Sequence, residues 1–118
     1  MPWFLNQNTN QTLDVMEKAA LEIQIIEKLK QVFDPEIPVN VYDLGFIYEI
    51  AISDQFGVNI KMTLTAPNCP VAETLPIEVR NAVQSIQGVS SVYVEMVFEP
   101  PWDQAMMTDA AKLELGLL

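Results

Sequence analysis

Apolar residues in this chain switch between a helical repeat and an alternating one, and the order of the switches leaves few architectures open. From about Leu13 to Phe33 the repeat is helical. Ala19, Ile23 and Ile26 form one row, Leu21, Ile25, Leu29 and Val32 lie beside it, and Glu17, Gln24, Glu27, Lys28 and Gln31 occupy the opposite side. Pro35 and Pro38 then stop the helix and open the loop Asp34–Asp43. Past that loop, Leu44, Phe46, Tyr48, Ile50 and Ile52 alternate with smaller or polar residues. A turn at 53–57 reverses the chain, and Val58, Ile60, Met62 and Leu64 alternate with Asn59, Lys61, Thr63 and Thr65. This spacing predicts two antiparallel strands. The second has a polar face, so one side of the sheet should meet solvent while the other is covered.

Helical spacing returns at Val71, Leu75, Val79, Ala82, Val83 and Ile86, and Gly88 stands where a C-terminal cap is expected. Pro76 lies inside this run and either starts the helix or kinks it. A third strand is predicted over 90–98, where Val92, Val94, Met96 and Phe98 share a face. Pro100 and Pro101 end it. Thr108 is placed to cap a short helix over 109–115, with Gly116 beyond. The first dozen residues, Met1 to Thr12, are rich in Asn and Gln and read as a flexible N-terminal arm, which leaves 13–118 as one domain. Helix, strand, strand, helix, strand, helix implies an α/β two-layer sandwich of the α+β kind. Its helices pack on one face of a three-stranded mixed sheet.

A chain of 118 residues with 50% hydrophobic content can bury one real core and is too short for two. Six basic against sixteen acidic residues give a formal net charge of -10, which repels phosphate backbones and anionic membrane surfaces. Neither nucleic acid nor membrane is expected as a partner. No apolar run approaches the ~20 residues that cross a bilayer, and the start lacks a signal-peptide pattern, so the expected location is cytoplasmic. Histidine is absent, which removes the Ser-His-Asp triad, the Cys-His pair and His-based zinc catalysis. The four glycines are not grouped, so no phosphate-binding loop appears.

What chemistry remains centres on Cys69, the sole cysteine, in the stretch Thr63-Leu64-Thr65-Ala66-Pro67-Asn68-Cys69-Pro70. There the alternating strand ends and the second helical pattern begins. A thiol at a helix N-terminus meets a partial positive charge and unpaired N–H groups, both of which favour the thiolate. The competing reading of a lone cysteine is a small buried hydrophobe. Thr63 and Thr65 are either hydrogen-bonding support for the Cys69 sulfur or ordinary strand threonines. Asp34, Glu36 and Asp43 are either acids that approach a metal or a client's basic patch, or turn formers and caps. Gly45 reads as a backbone conformation or a close packing contact. Trp102 is a docking aromatic or the edge of the core. Met62, Met96, Met106 and Met107 lack the clustering of a soft-metal site and read as packing.

Three separated motifs occur in register: Asp34-Pro35-Glu36-Ile37-Pro38-Val39-Asn40-Val41-Tyr42-Asp43-Leu44-Gly45, then Met62-Thr63-Leu64-Thr65, then Asn68-Cys69-Pro70. Together they resemble the metal-sulfur cluster assembly domain shared by SufT, PaaD and the eukaryotic cytosolic iron-sulfur targeting factor. The resemblance covers about Ala19 to Phe98. The tail Glu99-Pro100-Pro101-Trp102, with Met106-Met107 and Lys112-Leu113-Glu114-Leu115-Gly116, looks most like SufT. Such a resemblance implies a non-catalytic part in iron-sulfur protein maturation: receiving, carrying or directing clusters to apo-proteins. Iron-sulfur assembly proteins and client apo-proteins are the implied partners. Carried over by position, Cys69 matches the family's cysteine, and Asp34, Pro35 and Glu36 match its first loop. Asp43, Gly45, Thr63 and Thr65 match residues around its cleft.

Iron-sulfur clusters are usually held by four thiolates, and one chain supplies one. A labile cluster shared across a homodimer near Cys69 is therefore one expectation. An adaptor that recruits client apo-proteins without a cluster is the second. A thiol enzyme with Cys69 as nucleophile is the third, although the chain offers no resolving cysteine and no histidine base.

Overall fold

The computed structural model describes residues 3–35, 37–65 and 74–117. In chain order the elements are α1 (Trp3–Leu29), β1 (Ile47–Ile52), β2 (Gly57–Met62), α2 (Leu75–Gln84), β3 (Ser91–Met96), a 3₁₀ turn (Gln104–Met106) and α3 (Asp109–Glu114). The order agrees with the sequence pattern, with the 3₁₀ turn added. The sheet runs β1-β2-β3, with β1 antiparallel and β3 parallel to β2. A tight reversal at 53–57 serves the antiparallel pair, in which Ser53 N–H donates to the Gly57 carbonyl at 2.9 Å. A parallel neighbour needs a long return path, and α2 lies on that path.

The pairing register stacks apolar residues in rows. Ile52 faces Val58, which faces Val92, and Ile50 faces Ile60, which faces Val94. Residues opposite one another share a face, so these rows form one apolar surface. Leu21, Ile25 and Leu29 from α1 and Leu75, Val79 and Val83 from α2 are buried with it in a single core. On the other face Glu49, Ala51, Asn59, Ser91 and Tyr93 are exposed, and Lys61 lies 3.8 Å from Glu49. The sheet is thus covered on one side, as the alternation in β2 predicts. No helix among the described residues is long and apolar enough to cross a membrane.

Several boundaries differ from the sequence reading. α1 begins at Trp3 and not near Leu13, so the helix takes in residues that composition assigned to the arm. No glycine or proline interrupts 3–29, and extending a helix already anchored by packing adds little cost per residue. Of its two apolar rows only Leu21, Ile25 and Leu29 meet the core. Ala19 and Ile23 are exposed, and Ile26 is half-buried.

In β1 the register shifts between Ile47 and Glu49: Ile47 faces Met62 while Glu49 faces Lys61. The extra residue removes Tyr48 from the alternation with Ile50 and Ile52. Pro76 starts α2 and does not kink it, since it falls in the first turn, where an N–H has no intrahelical acceptor. Val71, expected in that helix, lies outside the described residues. α2 also ends earlier than expected, at Gln84 with Ser85 as C-cap, and Gly88 (φ 102°) serves the turn that follows. Thr108 caps α3 as predicted, its hydroxyl accepting from Ala111 N–H at 3.2 Å.

Candidate functional site at one end of the sheet

The loop that follows α1 is closed at its base. Phe33 and Asn40 form an isolated antiparallel bridge, and Val41 N–H donates to the Val32 carbonyl at 2.8 Å. Inside the loop Asp34 is only 7% exposed, and its carboxylate accepts from Ile37 N–H at 3.1 Å. Its position beside Pro35 makes this a side-chain-closed turn. Asn40 and Asp43 bond reciprocally: Asn40 Nδ2 donates to Asp43 Oδ2 at 2.8 Å, and Asp43 N–H donates to Asn40 Oδ1 at 2.8 Å.

The C-terminal segment folds back onto this loop. Thr108 Oγ1 donates to Asp43 Oδ1 at 3.1 Å, so both carboxylate oxygens of Asp43 have a donor. Trp102 Nε1 donates to the Leu44 carbonyl at 2.8 Å, and its ring meets Phe46 edge-on with centroids 5.8 Å apart. Tyr48, turned aside by the bulge, donates its hydroxyl to the Pro100 carbonyl at 2.7 Å. Gly45 has φ 82°, and a Cβ there would run into the Met106 carbonyl. Both of its expected roles, conformation and close packing, are therefore present together. Met62 and Met107 are buried, Met96 packs against the core, and Met106 Sδ lies 3.5 Å from the Tyr48 hydroxyl. The methionines serve packing.

The same loop meets the end of β2. Thr63 N–H donates to the Phe46 carbonyl at 2.8 Å, and Val97 N–H donates to the Met62 carbonyl at 2.8 Å. The carboxyl ends of the parallel strands β2 and β3 thus sit beside the first loop, the place where open α/β sheets form ligand crevices. From this end the chain leaves through Thr63, Leu64 and Thr65 and rejoins the described structure at Thr74, the N-cap of α2. Cys69 falls in the interval between, outside the described residues, and Glu36 of the first loop also lies outside them. The expected placement of the Cys69 sulfur at a helix N-terminus falls there too.

Thr63 and Thr65 have different surroundings. Thr63 is fully buried, with its hydroxyl 3.4 Å from the Leu64 carbonyl, whereas Thr65 is exposed. β2 ends at Met62, so both threonines lie past the strand on which a solvated face was expected, and of the two only Thr65 meets solvent. Among the described residues no three His, Cys, Asp or Glu side chains converge on a possible metal position. Asp34 and Asp43 bond within and across the loops. The structure therefore brings the first loop and the strand end together and ties them to the C-terminal segment. Sequence reasoning missed Asn40 and the second role of Thr108. The pattern Asn-x-x-Asp at 40–43 was a usable signal for the first.

A mixed three-stranded sheet under two helices, with loop, strand end and tail joined at one end, defines a small α+β domain. The profile of the iron-sulfur cluster assembly protein family matches residues 22–96, and the chain belongs to that family. It is 50% identical over 97 residues to an Fe-S protein maturation auxiliary factor of Porphyromonas gingivalis, covering 82% of this chain and 92% of that one. It is 31% identical to the Fe-S protein maturation auxiliary factor SufT of Staphylococcus aureus, covering 73% of this chain and 98% of SufT. The crystal structure of a domain of unknown function from Bacillus anthracis superposes with a TM-score of 0.81 at 30% identity. That match covers 88% of this chain and 99% of the other.

Proposed function

We propose that this chain is a non-catalytic, cytoplasmic factor of iron-sulfur protein maturation that carries clusters, or helps deliver them to apo-proteins, through Cys69. The observation that carries this reading is the family match over 22–96, an interval that contains the chain's sole thiol. Relatives named for iron-sulfur protein maturation point the same way. A single thiolate leaves the ligand shell of a cluster incomplete. Two copies meeting near Cys69 would supply two sulfurs, with the remaining positions left to a small thiol or the client. A shell of that kind holds cargo loosely enough for a better site to take it. Thr63, Thr65, Asp34, Glu36 and Asp43 are the candidates for supporting the bound cargo beside the thiol.

Anaerobic reconstitution with iron and sulfide tests this on wild type and Cys69→Ser in parallel, read by visible absorption, iron and sulfide counts and solution mass. The expected result is a cysteine-dependent cluster at about half per chain on a dimer. Iron uptake by neither protein would overturn cluster carriage.

The second reading is an adaptor that recruits client apo-proteins and binds no cluster. It is favoured by the engagement of Asp34 and Asp43 within and across the loops, which leaves a cluster less help from this chain. Under it, Cys69→Ser leaves client binding intact.

A further inference from the structure

α1 has two apolar rows, and the domain uses one. On the unused side Val15, Met16 and Ile23 are 68%, 61% and 60% exposed, Ala19 is exposed and Ile26 is half-buried. Met16, Ala19, Ile23 and Ile26 follow one another at intervals of three, four and three residues. That 3-4 repeat is the seam of a helix that pairs lengthwise with another helix. Met16 and Ile23 on this row, with Val15 beside it, are each more than half exposed, which exceeds the scattered exposure normal for a surface.

The borders of the row carry charge of one sign. With Met16 and Ile23 at the first seam position of each heptad, Glu22 precedes Ile23 on one border and Glu27 follows Ile26 on the other, and both are exposed. Lys18, on the same helix, is drawn away to Asp54 at 2.6 Å. A second copy of this chain, laid parallel, would set Glu22 against Glu27. Laid antiparallel, it would set each border against its own kind. Like charges facing across such a seam disfavour self-pairing and select a partner of opposite sign.

We infer that the exposed row of α1 docks an amphipathic helix of another protein, one whose apolar stripe is bordered by Lys or Arg. The apolar seam supplies contact area, and the Glu borders supply orientation and partner choice. Cys69 is not among the residues of this row, so the peptide test does not draw on it.

The test uses the full chain and labelled synthetic helical peptides of about three heptads, followed by fluorescence anisotropy. One peptide has Leu at the seam and Lys on the borders, a second has Leu with Glu borders, and a third keeps the Lys borders but has Ser at the seam. The first should bind, with the other two weaker by about tenfold or more. Met16→Ser with Ile23→Ser, at exposed positions that preserve the circular dichroism spectrum, should weaken the first peptide by a similar factor. Glu22→Lys with Glu27→Lys should move the preference to the Glu-bordered peptide. Equal binding of the Ser-seam peptide would reduce the effect to attraction between an acidic chain and a basic one, and would overturn the inference. So would failure of the first peptide to bind, or a dimer of the chain that Ile23→Ser dissolves.

Discussion

The backbone N–H of Thr108 donates to the carbonyl oxygen of Asp43 at 2.9 Å, and its hydroxyl donates to Asp43 Oδ1 at 3.1 Å. One residue therefore caps α3 and fastens the C-terminal segment to the first loop. The pair is 65 positions apart in the chain, so it closes a large part of the fold with a few short bonds.

Replacing Thr108 with Ala removes the cap on Ala111 N–H and the hydroxyl bond to Asp43 together. The expected loss is about 1–2 kcal/mol of stability, measured by urea unfolding. Thr108→Ser retains the hydroxyl and should lose far less. Equal losses in the two variants would show that the methyl group, and not the hydroxyl, is what matters.

At Gly45 two penalties coincide, a positive φ and a Cβ that meets the Met106 carbonyl. Gly88 and Gly116 also have positive φ, but open space surrounds them. Gly45→Ala should therefore cost more than the roughly 1 kcal/mol expected of Gly88→Ala or Gly116→Ala. Chemical denaturation of the three variants in parallel orders them, and a Gly45→Ala protein no weaker than the others contradicts the close contact.

Trp102 separates core from docking. Its indole packs against Phe46 and donates to the Leu44 carbonyl. Trp102→Phe should lose about 1 kcal/mol for the orphaned carbonyl, and Trp102→Ala about 3–5 kcal/mol. Thermal unfolding reads both. An aromatic that serves only a partner would leave the melting temperature of the isolated chain where it was.

The ion pair between Lys18 and Asp54 joins α1 to the β1–β2 turn, and the lysine's hydrogen bond and charge hold the Asp54 carboxyl below its ordinary pKa. A carboxylate depressed in the folded state stabilises above its unfolded pKa, and the contribution is lost as pH falls through the folded value. Wild type should thus exceed Asp54→Asn slightly at pH 7 and low salt. The gap should close on acidification below about pH 4 and on addition of salt. A gap that widens toward acid would reverse the assigned sign.

Local pattern carried much of the fold because it reports burial one element at a time. Val58, Ile60 and Met62 alternate in β2 and are all buried, and Thr108 caps α3 where a threonine before a helical run should. In the candidate site the motif residues of the first loop and of the β2 end were visible as sequence, and so was the backbone demand at Gly45. Their partners were not. Asp43 meets Thr108, and Leu44 meets Trp102 over 58 positions, through contacts that no window of sequence contains.

By itself the sequence determined the element order, the one-sided sheet, the buried alternation of Val58, Ile60 and Met62 in β2, and family membership through motifs in register. These follow from periodicity, proline and glycine punctuation and side-chain chemistry, which act over a few residues. Only the tertiary structure decided which apolar row of α1 faces the core, where the bulge turns Tyr48, and how the tail clasps the first loop. The physical reason is that two amphipathic rows, or two strand registers, are nearly equal locally. The choice between them is made by the surface that each can bury and by hydrogen bonds closed across the whole chain.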